Sequence, residues 1–513
     1  MEKLLKIGNS VFFVLMILWG YFAVYFAFQY LNIDYTDLTD ALAKLLIAFV
    51  ILLFFAFHFK KQTVRIGRIA YSFLISHKKY VLAGLFAFQL LITFSSLALA
   101  SADTSTVYLI ATDPRYAAAT DYISVNPNNF LLVVWFKINY FLTRENLVAA
   151  LTFWNILFID SSIVFVYLSN KLMLNKKTAD VSFLLFTLVL GLSPQQLYTY
   201  SDAITLFLLS LFILLAVLIV KGRLKARGSA LAGLVLAAAY GFRPTVMIFI
   251  IAGAIVLTVY VVKQKKAVLK PYVKVLLIAV CSFILVNRAL AFSLEKQDFV
   301  NYEPQMSRTL LYYVNLGLTY SGNVHSEISE EVWQSAGKDR NRLALNEIKQ
   351  RLADYKFTTF VGHLFYKYYW IVGEGNFGWF QERVLSEEQR LTVQWLKNIQ
   401  DSALARWIRS YIYVEGDNYY LYGSFLQIIW IGVSVGLIAF CFFFDANNGF
   451  QLWMQITVFG GLLFLMLFEG GRTRYLIQFL PAILTISSVG IHQLNRLLNQ
   501  KISEQDGHSQ LSS

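Results

Sequence analysis

The chain is a succession of long apolar runs separated by short charged stretches. Crossing the hydrocarbon core takes roughly 20 apolar residues. Runs near that length lie at 11–31, 42–59, 80–100, 147–169, 180–198, 203–220, 229–242, 244–262, 275–293, 424–444, 451–468 and 475–492. The pattern predicts an all-α polytopic membrane protein with about twelve transmembrane helices. The run 229–242 is short, so a tilted, broken or partly protein-buried helix is expected there. Lys3 and Lys6 precede the first run, which is longer than a typical signal-peptide core and lacks a small-residue cleavage site after it. It is expected to stay as the first span.

Two segments interrupt this rhythm. The first, 101–146, contains NFLLVVWFKINYFL at 129–142, which is too short to span and is broken by Lys137. An interfacial or re-entrant helix is expected. The second, 294–423, has nearly balanced acids and bases and reads as a water-facing, mostly helical extracytoplasmic segment. Within it, 338–356 has helical apolar spacing. The aromatics of YKYYWIVGEGNFGWF, 366–380, suggest an interfacial belt more than a sugar platform. The expected organisation is a transmembrane region 1–293, the outer segment 294–423, C-terminal transmembrane helices 424–498, and a disordered cytoplasmic tail 499–513.

Composition changes the picture in one respect. With 57% apolar and 15% charged residues, the chain has more apolar surface than one soluble core could bury. The bilayer is therefore its solvent. The net charge of +13 does not indicate nucleic acid, because the cations cluster in short loops. Lys60, Lys61, Arg65, Arg68, Lys78 and Lys79 lie between the second and third runs. Lys171, Lys176 and Lys177, then Lys221, Arg223, Lys225 and Arg227, then Lys263, Lys265, Lys266, Lys270 and Lys274 occupy alternate later loops. The positive-inside rule puts all of them, and both termini, in the cytoplasm. Intervening loops are poorer in cations, and one carries Asp34, Asp37 and Asp40, read as an acidic outer loop rather than a cation site.

Several chemistries have no signature here. Cys281 and Cys441 sit inside apolar runs and read as packing residues. No histidine spacing suggests zinc, and no Walker or GxGxxG loop suggests a nucleotide. No cofactor is expected; a divalent metal is possible in principle but not indicated. Asp160, in mid-run, is expected to bond to a neighbouring helix rather than relay protons.

The remaining charges gather at the outer ends of the runs. They are Asp103 in LALASADTSTVYL, Asp121 in ATDYISVNPNN, Asp202 in YTYSDAITL, Arg243 in GFRPTV, and Glu469, Arg472 and Arg474 in LFEGGRTRYLIQFLP. Charge at membrane depth is costly, so paired or functional groups are expected. Arginine forks bind phosphate, and a carboxylate accepts a proton from an attacking hydroxyl. Together they suit displacement of a lipid phosphate at the interface.

The order of these motifs resembles the GT-C superfamily of membrane glycosyltransferases, including protein O-mannosyltransferases and the lipid A aminoarabinose transferase. Asp103 in ADTSTVY lies just beyond an early span. DYISVNPNNFLLVVWFK follows, with Tyr122, Asn128 and Asn129 as donor- or acceptor-lining candidates. Then come Tyr200-Ser201-Asp202, Arg243-Pro244-Thr245, the stretch GEGNFGWF with Trp379, and Arg474-Tyr475-Leu476 with Pro481. Many members carry a second acid beside the first; here Ala102 and Thr104 flank Asp103, leaving Asp113 or Asp121 to supply it. The resemblance implies that Asp103 is the general base of an inverting displacement. It implies that Arg243, Lys367, Arg472 or Arg474 holds the lipid phosphate. Asp121, Asp202 and Glu469 are further acid/base or acceptor-site candidates. The implied donor is a polyprenyl (undecaprenyl) phosphate sugar, and the implied acceptor a cell-envelope glycan or teichoic acid outside the cell membrane. A transporter or flippase of lipid-linked glycans and a non-catalytic membrane scaffold are the alternatives.

Overall fold

A computed structural model describes residues 2–30, 60–264, 272–322, 325–379, 385–468 and 472–511. The acidic loop of Asp34, Asp37 and Asp40, the run 42–59, and Glu469 lie outside the described residues. The principal helices are α1 (Glu2–Tyr30), α2 (Lys60–Ser76), α3 (Lys78–Ser96), α4 (Asp103–Thr112), α5 (Phe130–Thr143), α6 (Leu147–Met173), α7 (Lys176–Phe186), α8 (Ser201–Val220), α9 (Ala226–Phe242), α10 (Met247–Gln264) and α11 (Val273–Lys296). They continue with α12 (Leu310–Gly317), α13 (Gly337–Asp354), α14 (Phe357–Val372), α15 (Ala403–Ile412), α16 (Tyr419–Phe442), α17 (Gly449–Phe468) and α18 (Leu480–Leu511). Among the described residues the sole β feature is a bridge between Ala98 and Arg390.

Nine helical segments among the described residues are long and apolar enough to cross a membrane. Two of the expected spans differ from this description. The run 229–242 forms α9, which at 17 residues is shorter than the rest. The run 180–198 is not one helix. α7 ends at Phe186, a wide turn follows over Thr187–Gly191, and a tight turn over Pro194–Leu197 leads into α8. Gly191 and Pro194 make this break locally easy.

Freed backbone groups inside a membrane need protein partners. Gln89 of α3 donates from Nε2 to the Gly191 carbonyl at 3.2 Å. The same nitrogen reaches Asp160 Oδ1 at 3.2 Å, so Asp160 is bonded to its neighbour as expected. Asn155 of α6 donates to the carbonyls of Gln196 and Tyr198 at 3.1 and 3.0 Å. The break is thus held rigidly, and it delivers Tyr198–Asp202 to one end of the bundle.

α16 lies between α1 and α18, α8 between α6 and α9, and α9 against α11. Small residues let these backbones approach closely. A Cβ on Gly490 of α18 would overlap the Gly436 carbonyl of α16, and one on Gly233 of α9 would overlap the Ala279 carbonyl of α11. With lipid as the alternative solvent, such close packing drives helix association.

The described part of the aromatic stretch 366–380, residues 366–379, departs from the belt expectation. Tyr368, Phe377 and Trp379 are 4%, 1% and 2% exposed. They pack among α1 and α16, where Trp430 meets Phe377 edge-on and bonds the Val372 carbonyl. Glu374 lies among them, accepting from Tyr30 at 3.2 Å and from the Gly378 amide at 3.0 Å. These aromatics act as core, because α1 and α16 cover the face that the sequence leaves open.

Candidate active site

Two poles of polar side chains meet where the helix ends converge. The first is built from the loops around α4 and α5. Ala102, with φ +60° and ψ −132°, turns the chain into α4, so that Asp103 opens the helix exposed. That backbone region is costly for a residue with a Cβ, and such strain clusters at functional sites. Tyr200 donates from Oη to Asn129 Oδ1 at 3.1 Å, and Asn129 Nδ2 donates to Tyr122 Oη at 2.7 Å. The Asp103 carboxylate lies close enough to Tyr122 to act on its phenol electrostatically. Burial, with the neighbouring Tyr200 and Asp103, pushes the Tyr122 phenol well above its ordinary value. It therefore stays protonated beside Asp103.

The second pole surrounds Asp202, which is 6% exposed at the first turn of α8. Arg243 Nη2 lies 2.8 Å from its Oδ1, and Arg474 Nη1 lies 3.1 Å from its Oδ2. Arg243 Nε also donates to Ser201 Oγ at 2.9 Å. Aromatic faces line both guanidiniums. Arg474 lies 4.9, 5.7 and 5.2 Å from the ring centres of Tyr198, Tyr200 and Tyr475. Arg243 lies 5.8 Å from Tyr200 and 5.9 Å from Tyr475. Thr245 donates to Gln478, tying the Arg-Pro-Thr step to the turn Thr473–Phe479 that carries Arg474. One carboxylate is shared by two guanidiniums, the side chains whose forked donors suit phosphate. Tyr200 joins the poles: its hydroxyl belongs to the first and its ring to the second.

The other candidates are placed differently. Arg472 Nη1 reaches Tyr475 Oη at 3.5 Å and so borders the second pole. Asp121 is exposed and accepts from Asn301 Nδ2 at 2.7 Å. Asp113 caps the helix Pro114–Ala119, accepting from the Arg115 amide at 2.9 Å. Asn128 is exposed beside Asn129. Lys367 is fully buried, donating to the carbonyls of Gly317 and Met466 at 2.8 and 2.6 Å, so it latches α14 to α12 and α17. Trp379 lies in the core described above. Among the described residues, no group of three or more His, Cys, Asp or Glu could hold a metal ion. Sequence reasoning missed Tyr198, whose alternation with Tyr200 through Thr199 was the available signal.

An all-helical polytopic architecture with charged groups gathered at helix ends defines a polytopic integral membrane protein. The chain belongs to the family described as conserved hypothetical integral membrane protein, whose model matches residues 1–494. No curated protein matches it in sequence. Among solved structures it is similar to the oligosaccharyltransferase of Archaeoglobus fulgidus. The apo form matches at 15% identity and TM-score 0.39, over 84% of this chain and 52% of that one. The forms with a tethered acceptor peptide, and with an inhibitory peptide and a dolichol-phosphate, match at 14% and 15% identity with the same TM-score. The chain spans about half the length of that protein.

Proposed function

We propose that this protein is a membrane glycosyltransferase that moves a sugar from a polyprenyl-phosphate donor, undecaprenyl phosphate by expectation, to a cell-envelope acceptor hydroxyl. The reading is carried by one observation: an exposed carboxylate, Asp103, lies beside the hydrogen-bonded series Tyr122, Asn129 and Tyr200, whose last ring faces the paired guanidiniums of Arg243 and Arg474. In the step this arrangement supports, the acceptor oxygen attacks the anomeric carbon while the bond to the phosphate oxygen breaks. The hydroxyl proton passes to Asp103. The leaving phosphate keeps the bonding electrons, and Arg243 and Arg474 stabilise its charge in a site away from bulk water. Direct displacement inverts the anomeric centre. With the cationic loops in the cytoplasm, this end of the bundle faces outward.

The test is sugar transfer by wild type and Asp103→Asn in proteoliposomes, with a panel of undecaprenyl-phosphate sugars and extracted cell-envelope acceptors. Loss of the base is expected to slow transfer by roughly 10²- to 10⁴-fold, with thermal unfolding unchanged. Full transfer by the variant removes Asp103 from the mechanism. Absence of donor binding by wild type overturns the reading and favours transport or scaffolding.

A further inference from the structure

The strap between α11 and α12 carries an arginine that the site above does not use. The Arg308 amide donates to the Val125 carbonyl at 3.2 Å, which fixes it beside the Tyr122–Asn129 loop. Arg340 of α13 holds the same strap by donating from Nη1 to the carbonyls of Met306 and Ser307 at 2.5 and 3.0 Å. The guanidinium is caged by neutral groups. Its Nη1 donates to Asn126 Oδ1 at 3.2 Å and to His325 Nε2 at 3.3 Å. Its centre lies 4.8 Å from the Trp333 ring and 5.2 Å from the Tyr312 ring. With Nε2 accepting, His325 carries its proton on Nδ1 and is neutral, its partner being Tyr312 Oη at 3.0 Å.

Several arginines of this segment are paired with acid, and the buried Arg340 is satisfied by backbone carbonyls. Arg351 meets Glu347 at 2.5 Å, Arg390 meets Glu387 and Asp401 at 3.2 Å each, and Arg409 meets Glu387 at 2.5 Å. No carboxylate among the described residues pairs with Arg308, and its Nε and Nη2 make no hydrogen bond to them. Half of a planar fork is therefore open. Rings and neutral acceptors hold the cation in place without cancelling its charge.

The position links it to the site from two sides. Asn126 also donates to the Tyr122 carbonyl at 3.3 Å. On the other side Arg472, which borders the Asp202 pole through Tyr475, acts together with Arg308 on His325.

We propose that Arg308, framed by Asn126 and Trp333, is a second anion subsite that takes a phosphoryl group other than the one held by Arg243 and Arg474. This rests on the reading of Arg243 and Arg474 as phosphate ligands. The second phosphoryl has two chemical sources: the further phosphate of a diphosphate-linked lipid, or a phosphate borne by a separate acceptor. The first source would make Arg308 the residue that sets preference between monophosphate and diphosphate donors.

The test is calorimetric binding to the full chain in nanodiscs, with farnesyl phosphate, farnesyl diphosphate and inorganic phosphate as probes. Arg308→Gln removes the fork. Asn126→Asp keeps it and sets a competing carboxylate beside it. If wild type binds the diphosphate at least about tenfold tighter than the monophosphate, and both variants lose that advantage, the second phosphate lies on the lipid. If the two lipids bind alike, but inorganic phosphate binds the farnesyl-phosphate-saturated protein and both variants abolish this, it comes from a separate molecule. Inorganic phosphate binding that depends on Arg308, without binding of either lipid, supports the subsite and removes the lipid-donor reading. Unchanged affinities in both variants overturn the proposal. So does a loss confined to Arg308→Gln, since a carboxylate beside the guanidinium must compete with an incoming anion.

Discussion

Asp103 and Asp202 are the same residue type doing opposite things. Asp103 is exposed at a helix start with the Tyr122 phenol nearby. Asp202 is buried between two guanidiniums. Removing one member of a buried charge group leaves the others uncompensated, at a cost on the order of 3–5 kcal/mol. Asp202→Asn is therefore expected to lower the thermal midpoint markedly, whereas Asp103→Asn leaves it near wild type; equal midpoints for the two variants would contradict the clamp. His325 gives a second residue-scale expectation. Burial, with Arg308 and Arg472 nearby, pushes its imidazole down to about 4, against an ordinary value near 6.5. Between those values the unfolded chain binds a proton that the folded chain refuses, so stability falls as pH drops through that window. Allowing for solvent screening of a partly exposed group, the loss is on the order of 2 kcal/mol. His325→Gln should flatten the dependence of the thermal midpoint on pH between 7 and 4.5, and an unchanged slope would count against the burial of this ring.

At the scale of elements, the bundle depends on where helices may touch. α16 and α18 cross where Gly436 faces Gly490, and neither position has room for a Cβ. Gly490→Val is expected to destabilise the bundle by about 1–3 kcal/mol or more, read as a lower unfolding temperature in detergent. Gly432→Val, on the facing helix α16 but with open space around its Cβ position, serves as the control and should be tolerated. A similar penalty at both positions would argue against this crossing. The break between α7 and α8 is the other decisive element. Periodicity over 180–198 reads as a span because Leu, Val and Phe dominate it. The glycine, the proline and two glutamines end the helix early, and Gln89 and Asn155 on other helices satisfy what the break exposes. Those partners lie about 40 or more residues away in sequence, so no local pattern announces them.

At the scale of the whole molecule, the charge asymmetry of the loops predicts an orientation. Single-cysteine variants in a background with Cys281 and Cys441 replaced by serine would test it. Lys225→Cys, in the α8–α9 loop, is expected to react with a membrane-impermeant maleimide only after the cytoplasmic face is opened. Asp339→Cys, exposed on α13, should react in intact cells; the reverse pattern would move the site to the cytoplasmic side. The same scale explains the segment 294–423. Its strap 297–309 braces the Asp121–Asn129 loop through Asn301, Glu303 and Arg308. Its stretch 373–379 is buried between α1 and α16 instead of lying at the headgroups.

Apolar run length and the placement of Lys and Arg were enough for the membrane class, most helix positions and the expected orientation. Each follows from the local cost of putting polar groups into hydrocarbon. The charged candidates Asp103, Asp202, Arg243 and Arg474 were also legible, because a charge at a span end is conspicuous against an apolar background. What only the tertiary structure decided was their partnership. Asp202 and Arg474 are 272 residues apart, and their ion pair exists because α8 and the turn before α18 end at the same place. The retirement of Lys367 and Trp379 into the core, and the open fork of Arg308, were likewise invisible. A lysine or tryptophan in an amphipathic stretch carries no mark of what will cover it, since that depends on helices brought together only by packing.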